Sequence, residues 1–324
     1  MPAIRLLATG GTIASSRGGS GYRAGLPGAE LLARTQVPDG CEVDVVDAAT
    51  IGSFAWSWTE VFGLLRRIEA ALAGGVDGIV VTHGTDTMEE VAFLVALAHH
   101  DPRPVVFTGA QRTADHPAPD GPANLADALR VAASEQARDR GALVVFDGLV
   151  FGARGVTKVD TLGSGAFGAP GRGPQLRVAR DQVRALTPAE PPKTLPFDTS
   201  RDELPRVDVV PLYLGADATF VNASLAAGAR GVVLAGFGVG NATPAVTEAV
   251  GEVIASGRAV LVCSRVGAGP VLPVYGGGGG ADLAAAGAVF ADDLSPWQAR
   301  LLLAAALASA PDGAEQLARD WLGC

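Results

Sequence analysis

Short, mostly β-branched or apolar runs alternate along this chain with longer segments whose apolar residues recur every three or four positions. The runs fall at 4–8, 43–46, 76–82, 104–108 and 142–146. Runs of that length without polar alternation fit strands covered on both faces. Between them, 59–73, 88–99 and 123–138 carry helical spacing. The alternation predicts an α/β fold built on a doubly wound, mostly parallel sheet. Thr87 and Glu90 stand at the T-x-x-E spacing ahead of an apolar stretch, which predicts a capping box opening the 88–99 helix.

From 161 to 205 the pattern breaks. GSGAFGAPGRGP is followed by LTPAEPPKTLPFD, and proline removes backbone donors and fixes φ. The expectation is an excursion without regular structure that passes into a linker. Alternation resumes at 207–212, 232–235 and 259–264. The expected organisation is a larger N-terminal domain at 1–185, a linker at 186–205 and a smaller C-terminal α/β domain at 206–324. The glycines at 276–280 read as a flexible turn, since no Lys-Ser or Lys-Thr follows to make a phosphate loop. Two closing helices, 296–309 and 313–322, read as amphipathic.

Composition narrows the partners. A net charge of −9 over 324 residues, with no basic patch, argues against nucleic acid. No apolar run approaches the roughly 20 residues of a membrane span, so no membrane partner is expected. Cys41, Cys263 and Cys324 are too far apart for a disulfide framework or metal spacing and read as buried thiols. Neither a metal nor a cofactor is expected. The chain opens directly into IRLLATGG, where a cleaved secretory signal would delete a strand; the cytoplasm is the expected compartment.

Two segments concentrate the chemistry: LLATGGTIAS and VVTHGTDTMEE. Each runs from an apolar strand into a turn bearing hydroxyls, where α/β proteins place reactive groups. Gly10 and Gly11 permit a tight turn and close approach to Thr12. Thr12 reads either as a turn-capping hydroxyl or as a nucleophile awaiting a base. Tyr22, in a glycine-rich stretch resembling a mobile lid, is either a surface aromatic or a side chain brought down onto Thr12. His83 is a general-base candidate or a hydrogen-bonded structural group. Asp86, beside Thr85, can orient an ammonium. Lys158 is a surface lysine or a partly buried proton carrier; only Lys193 accompanies it in the whole chain.

Together these segments resemble the bacterial-type L-asparaginase/glutaminase family. TIGSFAW, PVVFTGAQR, DGPANL, GVTK, PFD, AGFGVGN, SRVGAGPV and SPWQARLLLAAAL follow in the family's order, so the resemblance spans nearly the whole chain. It implies hydrolysis of L-asparagine to L-aspartate and ammonia, with some L-glutamine turnover, on a small amino-acid amide and without a cofactor. It implies Thr12 as nucleophile with Tyr22 as its hydroxyl partner, and Thr85, Lys158 and Asp86 as a second triad. Asp86 would also hold the substrate ammonium and Ser53 its carboxylate. Backbone groups of Gly11, Thr85 and Ala110 would hold the amide, and Asn241 would come from a neighbouring subunit of a homotetramer, a dimer of intimate dimers. Two positions depart from the family. Phe54 stands where glutamine is common, and no acid lies between Arg265 and Asp282 to supply the second-domain glutamate; Tyr275 is the candidate to fill that space. A non-catalytic amino-acid sensor on the same fold, an ammonia-supplying amidase domain of a transamidation complex and a dinucleotide-dependent dehydrogenase are the competing readings. A sensor has no need of nucleophiles, and the Gly-Gly-Thr turn after the first strand does not continue as G-x-G-x-x-G.

Overall fold

The first apolar run forms β1 (Ala3–Gly10), buried at each of its last five residues. An antiparallel ribbon of β2 (Ser15–Gly18) and β3 (Gly21–Ala24) follows, then α1 (Gly28–Ala33) and β4 (Glu42–Ile51). Helix and strand then alternate: α2 (Trp58–Ala73), β5 (Gly78–Thr82), α3 (Met88–Ala98), β6 (Val105–Thr108), α4 (Gly121–Ala132) and β7 (Ala142–Phe146). Every residue of β5, β6 and β7 is buried, as strands with both faces covered require. The chain continues through β8 (Leu149–Gly152), the two-residue strands β9 (Thr157–Lys158) and β10 (Phe167–Gly168), and β11 (Leu176–Ala179) with β12 (Gln182–Ala185).

This computed structural model describes all 324 residues and divides into two units. The first comprises Met1–Pro192 with Thr199–Asp202, the second Lys193–Asp198 with Glu203–Cys324. The first unit's main sheet runs β12-β11-β8-β7-β6-β5-β1-β4. Its five strands from β4 to β7 are parallel. From β1 the chain moves out to β4, then crosses back over β1 to β5. The order β4-β1-β5-β6-β7 therefore has its switch point between β1 and β5, where α/β sheets open a crevice at the carboxyl ends of the strands. One face of the sheet is packed by α4, with Leu125 and Leu129 in a cluster that includes Leu6, Val80, Val106 and Val145.

The second unit carries β13 (Val207–Pro211), α5 (Thr219–Ala226), β14 (Gly231–Gly236), α6 (Pro244–Ala255), β15 (Ala259–Ser264), α7 (Gly280–Ala285) and β16 (Val289–Phe290). The strands form a parallel sheet in that order, and α8 (Pro296–Ser309) and α9 (Ala314–Leu322) close the chain.

Four sequence expectations change. The 161–205 segment is not structureless: β11 and β12 pair as a hairpin that extends the main sheet. Its two turn residues, Arg180 and Asp181, have φ 51 and 62°. That conformation suits a two-residue hairpin, but Arg-Asp lacks the Asn-Gly signal that usually announces one. The capping box occurs at α2, where the Ser57 N–H donates to Glu60 and the Thr59 N–H to the Ser57 hydroxyl; Thr87 does not cap α3. Helix α8 is buried at every residue from Leu301 to Ala308 because it lies between the sheet and α9; only α9 shows an amphipathic pattern. Of the cysteines, Cys263 alone is buried; Cys41 is half-buried and Cys324 exposed. No helix is long and apolar enough to cross a membrane.

Candidate active site

β1 and β5 lie side by side with Ala8 opposite Thr82, so their carboxyl ends deliver the two hydroxyl-bearing turns to one place. The contact between the turns is backbone against backbone. Gly11 has φ 79°, and a Cβ there would stand 2.6 Å from both the Cα and the N of Gly84. A Cβ on Gly84 would in turn stand 2.5 Å from the Ser53 hydroxyl. Three segments thus close on each other only because two of them carry glycine.

Thr12, half-buried, opens a single 3₁₀ turn, and its hydroxyl has no hydrogen-bond partner within the chain. The Gly11 N–H donates to the Ile51 carbonyl at 3.1 Å, and its own carbonyl accepts from the Ala14 N–H and the Ser15 hydroxyl. Gly11's N–H is therefore already committed. The N–H groups of Thr85 and Ala110 make no hydrogen bond within the chain and are the donors left open. The glycine-rich stretch after Thr12 is the regular ribbon β2 and β3, tied down by Gly25 and Leu26 to the Ala14 carbonyl and by Arg17 to Asp115. Tyr22 sits on it 62% exposed, with no hydrogen bond to Thr12.

The Thr85 side is assembled. Lys158 Nζ donates to Thr85 Oγ1 and to Asp86 Oδ1, each at 2.8 Å. Thr85 donates to Gln111 Oε1 at 3.2 Å. Lys158 comes from β9, which pairs with β10 through Phe167, and Phe167 packs on Phe146 of β7. Its backbone N–H donates to Glu89 Oε2 at 2.5 Å. Glu89 lies buried in the first turn of α3. Desolvation raises its pKa, opposed by hydrogen bonds from Thr157 and the Lys158 N–H and by the Lys158 charge. Gln111 and Glu89 were not among the candidates read from sequence. The available signal was their place inside GAQR, just after a strand end, and TMEE, at a helix start.

His83 is fully buried, and desolvation pushes its imidazole down to about 3, so it is neutral. Its ring lies between two hydroxyls, Nδ1 3.1 Å from Thr9 Oγ1 and Nε2 3.2 Å from Thr87 Oγ1, with the Trp56 ring edge-on at 4.4 Å. Of its two readings the structural one fits. Thr87 also donates to the Ser53 carbonyl at 3.2 Å, which explains why it does not cap α3. Ser53 is itself buried. Phe54 beside it is 80% exposed, its ring folded over Gly52.

Asn241 and Tyr275 belong to the second unit. There the Asn241 Oδ1 accepts from the Gly280 N–H at 3.0 Å, and the Tyr275 carbonyl accepts from Ala281, so both are bound to the same glycine-rich loop. Tyr275 is exposed. No group of three or more His, Cys, Asp or Glu side chains is placed to hold a metal ion.

A hydroxyl-bearing turn, a lysine hydrogen-bonded to a second threonine, a carboxylate and free backbone donors are the parts needed for acyl transfer. Two family models match the chain: Asparaginase, N-terminal, over residues 3–191, and Glutaminase/Asparaginase C-terminal domain, over residues 206–318. A probable L-asparaginase of Deinococcus radiodurans is 40% identical over 315 residues, covering 94% of this chain and 92% of that one. The L-asparaginase of Bacillus licheniformis is 34% identical over 316 residues, covering 96% and 97%. A crystal structure of a probable cytoplasmic L-asparaginase from Campylobacter jejuni matches with a TM-score of 0.88 at 30% identity, covering 99% of each chain.

Proposed function

This chain belongs to the asparaginase family, and we propose that it hydrolyses L-asparagine to L-aspartate and ammonia with Thr12 as the nucleophile. The Thr12 oxygen adds to the side-chain amide carbon, and the oxyanion is held by the N–H groups of Thr85 and Ala110. The C–N bond breaks, and the proton lost by Thr12 leaves with the amine as ammonia, passed by the Tyr22 hydroxyl once the ribbon bends inward. A β-aspartyl ester remains on Thr12. Water then adds to it, giving its proton through Thr85 to a neutral Lys158. The ester C–O bond breaks, and Thr12 takes a proton back.

Asp86 and Ser53 hold the two ends of the amino acid, its ammonium and its carboxylate. Phe54 offers no hydrogen bond there, so the grip on asparagine is weaker than in relatives with glutamine at that place. L-Glutamine, one methylene longer, is the poorer substrate. The second unit leaves Tyr213, Leu214, Phe220, Val266, Val274 and Tyr275 exposed, which supports burial against other copies in a homotetramer. Asn241 then serves the site of a neighbouring subunit. The cytoplasm is the proposed compartment, supported by the Campylobacter jejuni likeness.

The observation that carries this reading is Lys158 bonded at once to Thr85 and Asp86. The test is ammonia release from L-Asn, D-Asn and L-Gln by the wild type, Thr12→Ala and Thr85→Ala. Wild-type release from L-Asn that drops at least about 10³-fold in both variants is expected, since such groups act as a unit. Full activity in Thr12→Ala removes Thr12 as nucleophile. Light scattering giving an active monomer removes the shared site.

A further inference from the structure

We propose that Gln111 is a positioning residue that holds the Thr85 hydroxyl turned away from Lys158, and so opposes the proton transfer between them. The inference rests on the reading above that Thr85 and Lys158 move a proton.

A lysine ammonium donates and never accepts. Lys158 Nζ lies 2.8 Å from Thr85 Oγ1 and 2.8 Å from Asp86 Oδ1, so in this arrangement it donates to both. The Thr85 oxygen therefore receives a proton from Lys158 and must direct its own elsewhere. It goes to Gln111 Oε1 at 3.2 Å.

The carboxamide is fixed in that sense. Gln111 Nε2 donates to the Asp160 carbonyl at 3.4 Å. Turning the amide over would set two carbonyl oxygens face to face and leave the Thr85 proton without an acceptor. The backbone from which the side chain hangs is also held. The N–H groups of Gln111 and Arg112 each donate at 2.9 Å to the two oxygens of Asp120, a buried carboxylate at the start of α4. Gln111 thus spans the turn bearing Thr85 and the turn two residues beyond Lys158.

For proton transfer the arrangement must reverse. Lys158 has to be neutral, and the Thr85 hydroxyl has to rotate until its proton points at Nζ. That rotation breaks the bond to Gln111 and leaves Oε1 without its donor. Gln111 therefore favours the state in which Lys158 keeps its proton. One neutral hydrogen bond of ordinary net worth corresponds to a shift of about 0.5–1 pH unit in the rising limb of activity against pH.

The experiment is kcat and KM for ammonia release from L-asparagine across pH, with thermal melts alongside, for wild type, Gln111→Met, Gln111→Glu and Lys158→Ala. Methionine keeps the length and removes the acceptor. Its rising limb is expected to move about 0.5–1 unit toward acid, with KM within about twofold. Glutamate accepts more strongly and adds negative charge beside Lys158, so its limb is expected to move toward alkali. Shifts of opposite sign support the proposal. Unmoved limbs, or limbs that move together, overturn it and leave Gln111 a packing residue. If Gln111→Met does not fold, Gln111→Ser takes its place, because it also lacks an acceptor that reaches Thr85. Lys158→Ala separates this inference from the reading beneath it. If that variant is inactive while the limbs stay put, only the role of Gln111 fails. If it is fully active, the proton step assigned to Lys158 fails first.

Discussion

Replacing His83 by glutamine is expected to make the protein less sensitive to acid, although it removes a well-packed ring. His83 is completely buried and its imidazole is held down to about 3 by desolvation. In the unfolded chain an imidazole titrates near 6.5. Above that pH both states carry it neutral and it makes no difference to stability. As pH falls below 6.5 the unfolded chain takes up a proton that the folded chain refuses. The stability present above 6.5 is therefore lost progressively as pH falls toward the folded value. The loss is about 2 kcal/mol at pH 5 and about 4 kcal/mol near pH 3. Glutamine has no proton to gain. At pH 7.5 His83→Gln is expected to be less stable than wild type by about 1–3 kcal/mol, from the disturbed bonds to Thr9 and Thr87 and the lost contact with Trp56. Urea unfolding of both proteins at pH 7.5 and pH 5 should show that gap narrowing by about 2 kcal/mol. Other titrating groups cancel in the difference, because they are common to both proteins. A gap that stays constant would refute the argument, since it would mean that the folded protein protonates His83 freely.

Two further outcomes follow from the site. Gly11→Ala places a Cβ 2.6 Å from the backbone of Gly84 at φ 79°. Strain of about 1–3 kcal/mol from the backbone angle alone, with an overlap that no side-chain rotation relieves, should lower the melting temperature by several degrees and separate the two turns; an active, equally stable variant would show that the turns need no such contact. Phe54→Gln restores a donor beside Ser53 and should lower KM for L-asparagine about tenfold or more with kcat little changed, the worth of one hydrogen bond to a charged group; steady-state kinetics that leave KM unmoved would show that this loop does not grip the substrate.

Much of the first unit was legible because its strands are read twice, once by burial and once by turn chemistry. β5, β6 and β7 are buried throughout, and the hydroxyl-bearing turns follow β1 and β5 directly. What the sequence hid was of two kinds. Hairpin β11 and β12 uses Arg180 and Asp181 at positive φ, a conformation that those side chains do not advertise. Thr87 has the spacing of a cap, but a buried imidazole and the Ser53 carbonyl compete for its hydroxyl and win, because both are enclosed and a helix N-terminus can turn to water. Local spacing proposes a partner; burial decides between partners, and burial is a property of the whole fold.

Gln111 and Glu89 carry no signal of their own in the sequence, whereas Lys158 does. Lysine is so scarce in this chain that Lys158 draws attention by itself, but a glutamine after a strand and a glutamate in a first helical turn are ordinary. Their significance comes from strand order. The chain places β1 between β4 and β5, and β6 beside β5. The turn after β6 therefore lies next to the turn after β5, and Gln111 falls against Thr85. Glu89, three residues beyond Asp86, faces β9 and fixes the backbone of Lys158. Neither contact is written in the spacing of residues along the chain. The first follows because β5 and β6 are neighbours in the sheet, and the second because β9 comes to the start of α3. The direction in which the Thr85 hydroxyl points is set by Gln111 and Lys158, which are distant from it along the chain.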